Sequence, residues 1–317
     1  MSAENEETPI EDGGNEITAE LRPAELEREW DKLAERARSI HSMIKMGART
    51  DLGRIRENNE DKFDFFEPEE PETAAKKGSF YAVADGMGGH AAGQIASELG
   101  LKTAVKAYFA DPSPDVAGSL QRAICEANAL LYDAAQAIVE RSGMGTTLTA
   151  VVIRADEAYF AHVGDSRAYL IRDGAIRQVT EDHSWVAEQV RRGALSPEEA
   201  RFSPFRNVIT RSLGNMPTVQ ADILAEGLQP GDLIILCSDG LSGSLADDEI
   251  RDLAVEKSPS QAAMDLVDAA NDRGGSDNIT AVVVAVKDVV CGDESGRPPD
   301  EPKQEPQKRG FLGFFRS

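Results

Sequence analysis

From residue 47 to residue 289, short runs of apolar, β-branched or alternating residues recur: ARTDLG, KFDFF, SFYAVAD, TTLTAVVIR, AYFAHVGD, RAYLIRDG, IRQVT, VQADILAE, DLIILCSD and NITAVVVAV. Runs of this length and period predict β-strands. Tight turns such as Asp173-Gly174 join neighbouring runs, which favours antiparallel pairing. Helical composition falls at 91–109, 115–141, 183–192, 247–256 and 258–271. The two longest of these are consecutive, whereas a doubly wound parallel sheet would space its helices between single strands. The pattern predicts stacked sheets with helices outside them.

The flanks differ. Residues 1–16 are acidic, contain glycine and lack lysine and arginine, so disorder is expected there. In residues 17–46, Leu26, Trp30, Leu33, Ala37, Ile40 and Ile44 recur at alternating spacings of four and three, and Pro23 suits a first helical turn. This predicts an amphipathic helix that either docks on its own domain or contacts a partner or a second copy. Residues 290–317 are rich in proline, glycine and charge and read as a disordered tail ending in FLGFFRS. That end is either a frayed terminus, a short peptide ligand or a weak membrane-surface contact.

Composition narrows the classes. With 41% hydrophobic residues, the 317-residue chain can bury a substantial core. A net charge of −22 argues against nucleic acid, which needs clustered Lys and Arg, and makes phosphate chemistry depend on local cations. Cys125, Cys237 and Cys291 are too scattered for a disulfide framework or a zinc site and suggest a reducing compartment. No apolar run approaches the roughly 18 residues that span a bilayer, and the N-terminus lacks a signal-peptide core. The expectation is a cytoplasmic protein with no stable membrane insertion.

Candidate chemistry lies where strands end. Asp85 follows FYAVA and precedes Gly86; Asp165 follows AYFAHVG; Asp239 follows DLIILCS; Asp277 immediately precedes NITAVVVAV; Glu60 and Asp61 precede KFDFF. Singly, each suits a turn, because Asp bonds its own backbone and Gly accepts positive φ. Together, if the strand ends emerge side by side, they repel and require protons or cations. Oxygen donors without a nearby Cys or His pair favour Mg²⁺ or Mn²⁺ over zinc. Two such ions roughly 3.5–4 Å apart suit in-line hydrolysis of phosphate esters. Arg56, four residues before Glu60, offers a fork for phosphate oxygens or is an ordinary surface arginine. The glycines of DGMGGHA also fit a dinucleotide-binding fingerprint, but the acid that fingerprint needs about 20 residues on is missing, and the later carboxylates stay unexplained. That oxidoreductase reading is rejected.

TDLGRIRENNED, VADGMGGHAAG, GMGTTLTAVVI, AHVGDSRAYLI, ITRSLG, LCSDGL and GGSDNITAVVV occur in this order across 50–284. On these blocks the chain resembles the metal-dependent serine/threonine protein phosphatases of type 2C, the PPM family, particularly their bacterial members. The resemblance implies an α+β fold, a four-layer αββα sandwich of two antiparallel sheets flanked by helices. It implies a catalytic domain over 47–289 with a flap at about 181–214. It implies that Asp85 bridges two Mn²⁺ or Mg²⁺ ions with the Gly86 carbonyl as a further ligand. Glu60 completes one ion's shell; Asp239 and Asp277 complete the other's. Asp165, with Asp239, matches a ligand of a third, weaker ion. Asp61 orients metal-bound water, and Arg56 grips the substrate phosphate. The implied reaction is direct attack by a metal-bridging water on phosphoserine or phosphothreonine in protein substrates, opposing a bacterial serine/threonine kinase.

The alternative is a pseudophosphatase, a regulatory binding module on the same fold; the intact acid set argues for the active enzyme. One departure stands out. Where eukaryotic relatives carry a proton-donating histidine, this chain has Met87, as many bacterial members do. His90 is nearby in sequence and is expected to cap a helix start; His162 and His183 are expected to be structural hydrogen-bonders. Arg191, Arg192, Arg201 and Arg206 in the flap either dock a phosphopeptide or form solvated helix surface. Gly145, Thr146 and Thr147 are expected to serve close packing.

Overall fold

The computed structural model describes residues 40–89, 91–137 and 143–291. One sheet is ordered β1 (Ile40–Asp51), β11 (Ile279–Cys291), β10 (Leu233–Cys237), β7 (Arg167–Arg172), β8 (Ala175–Gln178). The other is ordered β2 (Asp61–Phe66), β3 (Ser79–Met87), β5 (Leu148–Arg154), β6 (Glu157–Val163), β9 (Asp222–Gly227), with the two-residue β4 (Gly145–Thr146) paired to the end of β3. Every pairing is antiparallel.

The layers follow from strand alternation, because successive side chains leave opposite faces. Tyr81 and Val83 of β3, Phe160 of β6, Ile234 and Leu236 of β10, and Val282, Val284 and Val286 of β11 fill the space between the sheets. Intervening residues turn outward onto helices. Phe80, Ala82 and Ala84 meet α2 (Ala91–Ala110) and α3 (Val116–Ala137). Ile235, Cys237, Ala281 and Val283 meet α7 (Asp247–Ala254) and α8 (Pro259–Asp272). The result is the four-layer αββα sandwich. Shorter helices, α1 (Pro71–Lys77), α4 (Trp185–Arg191), α5 (Pro197–Phe202) and α6 (Asp239–Ser242), sit in the connections. No described helix is long and apolar enough to cross a membrane.

Two boundaries are corrected. The amphipathic helix expected over 17–46 does not reach its end: Ile40–Met46 open β1, which pairs with β11 from Ile40 opposite Cys291 to Asp51 opposite Ile279, with one register shift between Met43 and Ile44. Ile44, Met46 and Ala48 alternate into the inter-sheet core, so period two prevails over the three-four spacing carried in from upstream. The folded domain therefore includes Ile40–Met46, ahead of the expected start at 47. Val290 and Cys291, expected in the tail, are its last strand residues. Residues 1–39 and 292–317 lie outside the described residues.

Candidate active site

The acids meet at one end of the sandwich. Asp61 heads β2 and stands opposite Asp85 near the end of β3. Asp165 follows β6, Asp239 opens α6 after β10, and Asp277 precedes β11. Asp61 and Asp165 are buried, while Asp85, Asp239 and Asp277 are half-buried.

Neutral side chains fix the backbone that carries these acids. Asn278 Oδ1 accepts from the Glu60 N–H at 2.8 Å, while its Nδ2 donates to the carbonyls of Leu52 (2.9 Å) and Asn58 (3.0 Å), clipping the 52–60 segment onto the start of β11. The Glu60 carbonyl accepts from the Gly86 N–H at 3.2 Å. A Cβ on Gly86 would lie 2.1 Å from the Gly93 carbonyl oxygen, and one on Gly93 would lie 1.8 Å from Glu60 Oε2. The glycines of DGMGGHAAG thus let the start of α2 close over the Glu60 turn. Thr146 and Thr147, expected to serve packing, also hold Asp85. The Asp85 N–H donates to Thr147 Oγ1, and the Asp85 carbonyl accepts from the Thr147 N–H and Thr146 Oγ1, each at 2.9 Å. Thr147 Oγ1 lies 2.8 Å from Ser166 Oγ, tying in the corner that carries Asp165.

Asp61 Oδ2 accepts from Ser238 Oγ (2.6 Å) and Thr280 Oγ1 (2.8 Å). Burial nonetheless pushes Asp61 up to about 7, with Asp239 and Asp277 adding repulsion that those two bonds do not offset. Asp85 is held well above the carboxylate range by burial and then by Asp61, Asp239, Asp165 and Asp277. Burial, with repulsion from Asp239 and Asp182, likewise raises Asp165. Asp239 is raised by burial and Asp277, although Arg56 and a hydrogen bond with Asp85 pull it down. Four acids that destabilise one another's charge call for protons or cations.

Two observations match the site to cations. Asp61 Oδ1 and Asp165 Oδ1 are buried and have no hydrogen-bond partner, an arrangement that is costly without a counter-charge. The donors are oxygens throughout, the set preferred by Mg²⁺ and Mn²⁺. As the side chains stand, no group of three or more His, Cys, Asp or Glu among the described residues is already arranged to hold an ion. A cation of the protein meets the acids instead: Arg56 Nη2 donates to Asp277 Oδ2 at 2.7 Å from a half-exposed position, with Glu60 and Asp85 also acting on its charge, while Arg167 acts on Asp165 and Asp239.

Met87 is half-buried, with Asn215 Nδ2 3.9 Å from its sulfur. His90 lies outside the described residues. His162 Nε2 donates to the Glu181 carbonyl at 3.0 Å and Nδ1 meets Thr149 Oγ1 at 2.9 Å, so it is a satisfied core histidine. In the segment 181–214, expected to be a flap, Arg191 and Arg192 pair with Glu181 and Glu188. Arg201 and Arg206 are exposed near Phe202 and Phe205, which are 81% and 53% exposed. Sequence reasoning missed the positioning roles of Asn278, Ser238 and Thr280. Their only signal was adjacency to the acids in CSDG and SDNIT.

Comparisons with known proteins agree with this geometry. The Protein phosphatase 2C family model matches residues 48–279. The chain is 37% identical over 241 residues to the serine/threonine phosphatase stp of Listeria welshimeri, covering 74% of this chain and 93% of that protein. It is 35% identical to the crystal structure of the Mycobacterium tuberculosis serine/threonine phosphatase PstP/Ppp, with a TM-score of 0.69 over 77% of this chain and 99% of that one. A structure of the PstP catalytic domain in complex with two manganese ions is 34% identical, with a TM-score of 0.68 over 77% of this chain and 99% of that one. A sandwich of two antiparallel sheets whose strand ends gather buried acids, matched over most of its length by this family, can be placed: the chain belongs to the protein phosphatase 2C family.

Proposed function

We propose that the protein hydrolyses phosphoserine and phosphothreonine in proteins, using two Mn²⁺ or Mg²⁺ ions held at the acidic end of the sandwich. The observation that carries this reading is the set of buried, mutually repelling acids with two unpartnered oxygens, in a chain whose relatives are named serine/threonine phosphatases.

Asp85 would hold both ions, with the Gly86 carbonyl as a further ligand. Glu60 would complete one shell and Asp239 with Asp277 the other, while Asp165 would serve a third. When bound, such ions supply charge neutralisation at phosphorus and the acidified water that attacks it in line. The chain's own residues do the rest. Asp61, held by hydrogen bonds from Ser238 and Thr280, would orient the attacking water. Arg56, paired with Asp277 as the side chains stand, would turn its fork to the substrate phosphate. Met87 cannot donate a proton, so the leaving alkoxide takes its proton from solvent. The exposed flap surface at Arg201, Phe202, Phe205 and Arg206 receives the flanking peptide. The natural counterpart of such an activity is a serine/threonine kinase.

The test is direct. Purified protein with Mn²⁺ should release phosphate from a phosphothreonine peptide, stop with EDTA and resume on adding Mn²⁺. Calorimetric Mn²⁺ binding with no phosphate release would establish the pseudophosphatase reading instead.

A further inference from the structure

His183 stands at the start of the flap, 3% exposed, with its polar atoms divided among three segments. Its N–H donates to the Gly164 carbonyl at 2.7 Å, and its ring Nδ1 lies 3.0 Å from the Gly164 N–H. Its Nε2 lies 3.1 Å from Asp222 Oδ2 on β9. Its carbonyl accepts from the Thr210 N–H, where the flap returns, at 2.8 Å. An amide N–H only donates, so Nδ1 must present a lone pair and the ring proton must sit on Nε2, directed at Asp222.

Gly164 is the residue before Asp165. It has φ +119°, and a Cβ there would lie 2.5 Å from the Thr147 side chain. The corner 164–166 is thus pressed against Thr147, which holds the main chain of Asp85, and fastened from the other side by His183. Asp165 Oδ1 makes no hydrogen bond, so its aim depends on the backbone beneath it.

We propose that His183, as its Nε2–H tautomer, is a positioning residue that locks the Gly164–Ser166 corner, thereby aiming Asp165 into the acidic cluster and coupling the base of the flap to it. This rests on the metal-dependent reading above. A buried ring bonded to the backbone of the residue before a ligand acts as outer-shell support does in metal sites, where removal costs about 10–100-fold in affinity or activity.

Asparagine places an oxygen where Nδ1 stands, whereas glutamine reaches only the Nε2 position. His183→Phe should lower kcat about tenfold and weaken the weakest calorimetric Mn²⁺ binding step by a similar factor, with little change in phosphopeptide KM. His183→Asn should recover most of both losses, and His183→Gln should recover neither. In the wild-type chain with Mg²⁺, ¹⁵N-histidine NMR should show His183 protonated on Nε2 alone; this arm needs no variant to fold. Wild-type kcat and Mn²⁺ affinity in His183→Phe, rescue by glutamine equal to that by asparagine, or a protonated Nδ1 would each overturn the proposal. A wild-type chain inactive with Mn²⁺ would sink the phosphatase reading instead, leaving the tautomer result to judge the Gly164 contact.

Discussion

The middle of the inter-sheet layer and its acidic end are built by the same alternation yet have opposite energetics. On β3, Tyr81, Val83 and Asp85 share one face; on β2, Asp61 and Phe63 do; Leu236 is followed on its face by Ser238, and Val282 is preceded by Thr280. In the middle, burial stabilises each apolar side chain by roughly 2–3 kcal/mol. Two residues further along, the same burial raises carboxyl groups and leaves two oxygens unpartnered. The site is a section of the core whose instability is relieved only by a bound charge, the usual relation between stability and activity.

Substitutions at the two places should therefore move stability and activity in opposite ways. The largest effect is expected from Asp239→Asn: with Mn²⁺, phosphopeptide hydrolysis should fall by about 10³-fold or more, near 4 kcal/mol in barrier. The unfolding midpoint of the metal-free protein should hold or rise, because one repelling charge is gone. Wild-type turnover in this variant would undo the assignment of the acidic end. In the middle of the layer, Phe160→Ala should cost about 3–5 kcal/mol in urea unfolding while the folded fraction keeps its kcat.

Acid titration separates the regions by sign. His162 is lowered to about 4 by burial and by the neighbouring His183, from an ordinary value of 6.5. The unfolded chain therefore takes up a proton first, and stability falls as pH drops from 6.5 towards 4, by roughly 3 kcal/mol at most. Asp61, raised to about 7, has the reverse effect: its contribution is complete below its unfolded value and is lost as pH climbs through 7. His162→Gln should flatten the acid limb of the stability curve; an unchanged slope would show that this ring is already charged or not buried. The smallest effect is expected from Arg56→Ala, a rise in phosphopeptide KM of about tenfold, or 1.4 kcal/mol, with Mn²⁺ affinity at least as high because Asp277 loses its competing partner.

Most of the fold was legible because nearly every strand is a clear period-two run between turn residues. Ile40–Met46 misled because two periods overlap there: Ile40 and Ile44 continue a helical spacing, while Ile44, Met46 and Ala48 alternate. Only the partner strand β11, more than 230 residues away, decides between them. Local chemistry could have revealed α5, where Ser196, Pro197 and Glu199 spell a capping box. At the site, the acids were visible because they close strands and because the seven blocks resemble a known family. Asn278, Ser238 and Thr280 were not, and His183 was expected to hydrogen-bond but not to hold Gly164, since what they hold lies on other segments and only the folded register brings donor to acceptor.

The pairing of Ile40 with Cys291 has a further consequence. The chain enters and leaves the described domain on neighbouring residues of adjacent strands. The other end of that pair, Asp51 opposite Ile279, borders the acids, eleven strand steps or about 35 Å away. A short peptide joining the two points would make a circle that could be reopened elsewhere, giving a permuted chain with an unaltered catalytic end. In the natural chain, both flanking segments are leashed to the pole remote from catalysis.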